Sequence, residues 1–168
     1  VRATPAASAI CSIVAAGVAR TTVHRRFATR EALVDALATW ATRLFADAVD
    51  SAHPDTAPPL VALYQITANV LDMKLTWGFA MSRATSADPE VERVHTEIGE
   101  TCERLLRRAR EAGLLRDDVD ITWTRRAYYG LIHQAAVHRT DEDDTAALAT
   151  LVVDTLLRGA GTPAAGRL

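Results

Sequence analysis

The sequence predicts an all-α protein built from a short N-terminal helix-turn-helix segment and a larger helical bundle. Three observations carry that expectation. A glycine at position 17 separates two short helix-forming stretches. Apolar residues then recur every three or four positions through most of the remainder, the spacing of one helical face, and no hairpin signal appears. Charge is divided unevenly as well: residues 1–30 contain Arg2, Arg20, Arg25, Arg26 and Arg30 and no acid, whereas the rest hold fourteen bases and twenty-one acids.

The first helix is expected over roughly Ser8–Ala16. It must stop at Gly17, because glycine enters the left-handed conformation without a side-chain clash. The turn falls on Gly17–Ala19. In the short helix that follows, Val18, Val23 and Phe27 can face inward, which leaves Arg20, Thr21, Thr22, His24 and Arg25 on the remaining surface. Those side chains donate to phosphate oxygens and base edges. Thr29 reads as the N-cap of the next helix, with Glu31 in its first turn, where a negative charge suits the helix dipole, and Arg30 in reach of a phosphate.

That helix extends to about Asp50, with Leu33, Ala36, Leu37, Trp40, Leu44 and Ala48 on one stripe. Ser51–Pro59 holds three prolines and must be a connection. Pro59 opens the next helix, whose inward face includes Leu60, Leu63, Tyr64, Thr67, Leu71 and Lys74. Contiguous apolar residues from Trp77 to Met81, interrupted by Gly78, predict a short segment ending near Thr85. Asp88-Pro89-Glu90 combines a cap, a first-turn proline and a favourable acid, which is a strong helix start. Val91, Val94, Ile98, Cys102, Leu105 and Ala109 continue the stripe to Gly113.

Two final helices are expected over about Asp120–Arg139 and Asp143–Arg158. The first places Ile121, Thr124, Tyr128, Leu131 and Ala135 on one face, broadened by Trp123, Ala127 and Ile132. On the second, Ala146, Leu148, Ala149, Leu151, Val152, Val153, Leu156 and Leu157 nearly encircle the axis. A helix so apolar either lies wholly inside one subunit or pairs with a second copy. We expect the pairing, with Val153 in a four-helix interface formed by these two helices and their symmetry mates.

An acid-free, arginine-bearing turn motif is what neutralising DNA phosphates requires. Gly17–Leu33 resembles the DNA-binding signature of the tetracycline-repressor-like (TetR) family of bacterial transcriptional regulators. The resemblance implies a head of three helices joined through a fourth to an all-helical effector-binding and dimerisation domain, here residues 1–50 and 51–168. It places Arg20, Thr21, Thr22, His24 and Arg25 in the recognition helix and gives Arg30 the role of a phosphate contact. His24 stands where the family usually has tyrosine. Only seven residues precede Ser8, so the first helix of such a head is expected to be missing or disordered in this chain.

The implied partners are a palindromic double-stranded DNA operator, a second copy of the chain and a small-molecule effector. One head reads only a few base pairs, whereas two heads about 34 Å apart read successive major-groove faces. A ligand that changes their separation changes operator affinity, which describes a repressor released by its effector. Trp40, Tyr64, Met73, Trp77, Phe79, Met81, His95, Cys102, Tyr129 and His133 are large, soft or amphipathic groups on helices expected to surround the body's centre. They form the candidate pocket for a small apolar or aromatic effector, although each alone reads equally well as core.

Composition sets the other bounds. At 168 residues and 49% hydrophobic content, the chain can bury one sizeable core beside a small head. No apolar run spans a bilayer and no secretory leader is visible, so no membrane partner and a cytoplasmic location are expected. Cys11 and Cys102 are far apart and imply neither a disulfide nor a metal site. His95 with Glu97, and Tyr128, Tyr129 and His133 together, could be pictured as acid-base or metal groups. The chain has no His-Glu-x-x-His run, no phosphate-cradling glycine loop, no Gly-x-Ser-x-Gly and no close cysteine pair. We therefore expect no enzyme, catalytic residue, metal or cofactor. The alternative is a helical ligand-binding or interaction protein that does not bind DNA.

Overall fold

A computed structural model describes residues 27–73, 88–140 and 142–162. The helix expected over Ser8–Ala16, the turn at Gly17, the segment around Trp77–Met81 and Lys74 lie outside them. Among the described residues five helices follow in order: α1 Arg30–Asp50, α2 Pro59–Asp72, α3 Pro89–Glu111, α4 Ile121–His138 and α5 Thr145–Ala160. Four of the helix starts carry side-chain caps. Thr29 caps α1 by accepting from the Ala32 amide at 3.1 Å. Asp88 accepts from the Glu90 amide and Pro89 occupies the first turn. Asp120 and Asp144 cap α4 and α5 through the amides of Trp123 and Ala146. Each cap satisfies a donor that the helix itself cannot.

The α3 stop is equally explicit. Gly113 adopts φ 74°, the Gly113 amide bonds the Arg110 carbonyl, and the Leu114 amide reaches back to Ala109. This is a Schellman closure, and it needs glycine at the left-handed position. The chain then runs antiparallel to the end of α5 over a single bridge, Leu115 opposite Gly161, with Arg116 donating to the Ala160 carbonyl and Thr162 to Leu114.

The core gathers Phe45 and Val49 from α1, Leu63, Ile66 and Leu71 from α2, Leu105 and Leu106 from α3, Tyr128 and Ile132 from α4, and Val153 and Leu157 from α5. α2 lies chiefly against α5, and α3 lies between α1 and α4. Arg104 pairs with Asp55 of the α1–α2 connection, while Arg108 bonds the carbonyls of Pro54 and Ala57. Asp88, at the other end of α3, accepts from Thr39 of α1. The two helices therefore run parallel, and the first turns of α1 extend past the start of α3.

Two expected faces are corrected. α1 buries Leu33, Val34, Ala38, Ala41, Thr42, Phe45 and Val49, so the predicted stripe through Ala36, Trp40, Leu44 and Ala48 is rotated by about one residue. Alanine, leucine and other apolar residues occupy both neighbouring stripes, so the pattern alone does not choose between them, and packing against α3 sets the rotation. α5 does not offer Val153 to a partner: that side chain is fully buried against its own subunit, and Leu151, 62% exposed, is the large apolar residue on the outer face. The α3 stripe from Val91 to Ala109 is buried as read.

Candidate functional site

One face of each of α1, α3 and α4 meets the others at a mixed aromatic and polar junction. Thr42 and Phe45 lie one helical turn apart on α1; His95 and Cys102 are two turns apart on α3; Arg125 and Tyr129 are one turn apart on α4. The Phe45 ring lies 6.3 Å from the His95 ring and 6.5 Å from Tyr129, the latter edge-on. Thr42 Oγ1 and His95 Nε2 are 3.4 Å apart. Arg125 stacks over the Tyr129 ring at 5.3 Å, where the guanidinium meets the electron-rich face.

Glu103 anchors that guanidinium, accepting from Arg125 Nε at 3.2 Å and from the Thr122 hydroxyl at 3.1 Å, with Arg107 on its other oxygen. Partial burial works to raise its carboxyl pKa, but these hydrogen bonds and the two arginine charges prevail and hold it below the usual carboxylate range. Burial pushes the Cys102 thiol up, and burial together with the neighbouring thiol pushes the Tyr129 phenol up. Both stay protonated near neutrality. Tyr128, buried beside them, also has its phenol pushed up by desolvation; its hydroxyl is 2.7 Å from Thr67 Oγ1 and donates to the Leu63 carbonyl at 3.2 Å.

The junction thus offers flat apolar rings, a neutral thiol, an imidazole and a cation already balanced by a carboxylate. Thr42, Phe45 and Cys102 are buried within it, so the junction is packed side chain against side chain. No group of three or more His, Cys, Asp or Glu among the described residues is placed to hold a metal.

Of the residues singled out from sequence, His95, Cys102 and Tyr129 come together here. Tyr64 faces another way and donates to Asp154 of α5 at 2.8 Å. Met73 is half-buried at the end of α2, Trp40 is 55% exposed on the outer side of α1, and His133 is exposed on α4. Trp77, Phe79 and Met81 lie outside the described residues. Thr42, Phe45 and Arg125 were missed. The first two fell with the rotated α1 stripe, and Arg125 reads in sequence as a surface charge.

Among the residues expected to touch DNA, Arg30 is exposed at the first position of α1, directly after the Thr29 cap. Arg20, Thr21, Thr22, His24 and Arg25 lie outside the described residues.

Residues 59–158 match the sequence model of the SbtR-like transcriptional regulator C-terminal domain, a TetR-type domain. The chain belongs to the TetR family of transcriptional regulators. The all-α fold is therefore that of a TetR regulator, in which a helix-turn-helix segment precedes a helical bundle. Solved relatives agree. The chain is similar to the TetR-like regulator LfrR from Mycobacterium smegmatis, solved in complex with proflavine, at 27% identity and a TM-score of 0.71, covering 89% of this chain and 82% of that one. It also resembles the TetR family regulator PfmR from Thermus thermophilus, at 19% identity and a TM-score of 0.68 over 93% of this chain and 88% of that one. For the ketosteroid transcriptional regulator KstR2 of Mycobacterium tuberculosis the values are 17%, 0.66, 95% and 85%. These last two likenesses establish fold alone. A search of curated proteins returned no match.

TetR regulators bind DNA operators and small-molecule effectors, typically as dimers, and form a family of regulators rather than enzymes. No helix among the described residues is long and apolar enough to cross a membrane.

Proposed function

We propose that this TetR regulator is a cytoplasmic homodimeric repressor that leaves a palindromic operator when a small apolar or aromatic molecule binds at the junction of α1, α3 and α4. The observation that carries the reading is the place of that junction: its rings and imidazole touch α1, the helix that follows directly from the recognition segment. A ligand that parts Phe45 from His95 or Tyr129 tilts α1. Because the first turns of α1 run past α3, the tilt is delivered to the segment carrying Arg20, Thr21, Thr22, His24 and Arg25. Coupling of about 1–3 kcal/mol between the two sites is enough for a response of about 5-fold to 150-fold.

The division proposed is a head with its connecting helix over residues 1–50 and a body from residue 51 onward. The two copies associate through α4 and α5, whose outer faces expose Trp123, Val137 and Leu151. Large apolar side chains left exposed on both helices support an interface there. Arg25 and Arg30 contact the duplex.

The test is a binding assay on duplexes selected from a random pool. A salt-sensitive complex with a palindromic sequence, released by a planar aromatic probe such as the proflavine found with LfrR, is the expected result. Absence of any sequence-specific complex over a range of salt overturns the reading.

A further inference from the structure

We infer that Gly99 and Arg125 form a carboxylate-reading notch at the edge of the α1–α3–α4 junction, so that the effector is a planar aromatic acid, its carboxylate held there and its ring entering between Phe45 and Tyr129. The inference rests on the effector reading proposed above and specifies the chemistry of that effector.

His95, Gly99 and Glu103 follow at four-residue intervals on α3, and Arg125 and Tyr129 are one turn apart on α4, so two stripes meet along the seam of these helices. Glycine inside a helix is a cost in propensity, and Gly99 has no left-handed backbone that would call for it. What it provides is space. A β-carbon there would lie 3.7 Å from Arg125 Nη1 and 3.8 Å from Cζ, and apart from the local α3 chain no other described atom comes within 4 Å of that place. An open position the size of a methyl group thus abuts the guanidinium. Gly99 is half-buried and the Arg125 side chain is 23% exposed, so the notch borders solvent.

The guanidinium keeps donors for a second acid. Among the described residues it hydrogen-bonds to a carboxylate through Nε alone, to Glu103, which leaves the planar Nη1–Nη2 end that pairs bidentately with carboxylates. Glu103 does not neutralise it alone, because its other oxygen accepts from Arg107, and two arginines share one acid. α4 carries no Asp or Glu. On α3, Glu97 is taken by Arg93, and Glu100 is exposed beside Arg104. The Cys102 thiol and Tyr129 phenol stay neutral. Excess positive charge in a half-buried setting selects an anion over a cation, and the stack on Tyr129 holds the guanidinium in place to receive it. The rings of Phe45, His95 and Tyr129 select a flat aromatic body behind that anion.

Three probes sharing one ring system test the notch: 2-naphthoate, the neutral 2-naphthamide and the cation 2-naphthylmethylammonium. Calorimetric titration of the full chain should rank them in that order, with naphthoate tighter than the amide by about tenfold or more, as a charge-assisted pair requires. Release of a labelled operator should follow the same order. Arg125→Gln should bring naphthoate and naphthamide to equal affinity. Gly99→Ala keeps the arginine and favours the helix, so its thermal melt should match or exceed that of wild type, yet its methyl fills the notch and should remove most of the naphthoate preference. That variant decides the matter should Arg125→Gln not fold. A wild type that binds naphthoate no tighter than naphthamide, or binds neither, overturns the inference, as does a preference that either folded variant leaves intact. Operator release by the amide as readily as by the acid would overturn the notch and keep the aromatic-effector reading. Absence of any operator complex would overturn that reading, and the calorimetry would still decide for or against the notch.

Discussion

Thr42 and His95 face each other across the seam between α1 and α3, the hydroxyl oxygen 3.4 Å from Nε2. Phe45, one turn along α1, packs its ring against the same imidazole. One α3 side chain thereby touches the α1 helix through both a polar and an apolar contact, and that helix follows in sequence the proposed recognition segment.

His95→Leu keeps bulk at the seam and removes the polar contact. Operator affinity without effector should hold, while the effector concentration needed for release rises about tenfold, within the usual range of allosteric coupling. Fluorescence anisotropy of a labelled operator reads both quantities. An unchanged release curve would remove this seam from the coupling.

Leu151→Asp and Val153→Asp should separate assembly from folding, although the two positions are neighbours in sequence. Leu151 is on the outer face of α5, so the first variant should be a folded monomer. Val153 is fully buried, and an unpaired carboxylate there should abolish cooperative unfolding of a native core. Light scattering and thermal melts distinguish the outcomes.

Tyr128→Phe removes a buried hydroxyl from between Thr67 and the Leu63 carbonyl. Thr67 still donates to that carbonyl at 2.7 Å, so little is stranded. The loss should be about 1 kcal/mol, read as a fall in Tm of about 2–4 °C for a chain of this size.

Glu103 gives a signed prediction for acid. Its carboxyl pKa is lowered in the folded chain. The stability it contributes is therefore complete above the unfolded carboxylate value and is lost as pH falls through the lower folded value. Glu103→Gln should be less stable than wild type at neutral pH, and the gap should narrow on acidification. Urea midpoints measured from neutral pH into the acid range test the sign.

Arg30→Ala should weaken operator binding uniformly across sequences and reduce the salt slope by about 1, the signature of one lost phosphate contact. Arg25→Ala should also weaken binding and, unlike Arg30→Ala, relax preference at a base position. Equal losses on cognate and random duplexes for Arg25→Ala would move that residue out of the recognition helix.

Local chemistry was the legible part of this chain. Thr29, Asp88 and Gly113 each act on backbone groups within five residues, so their roles can be read without knowing what packs where. The α3 face was legible because charged residues occupy its other side and leave one apolar stripe. α1 was not, because alanine and leucine on two adjacent stripes leave its rotation to be set by α3. The same ambiguity hid Thr42 and Phe45 at the junction. Arg125 was hidden for another reason: its stacking partner is one turn away, but its carboxylate partner comes from a different helix. On α5, apolar character nearly all round signalled burial correctly without telling which residues face the subunit's own core.

Gly161 caps α5 where no other residue fits, since a β-carbon there would lie 2.2 Å from the Leu157 carbonyl oxygen. Its pairing with Leu115 sews the tail of α5 to the α3–α4 loop, and the arginines of α3 fasten the α1–α2 connection near the same pole. Strain introduced among the rings cannot relax at that hemmed end. In the proposed repressor the stitching at that end, remote as it looks from regulation, therefore directs movement toward the opposite pole, where α1 begins.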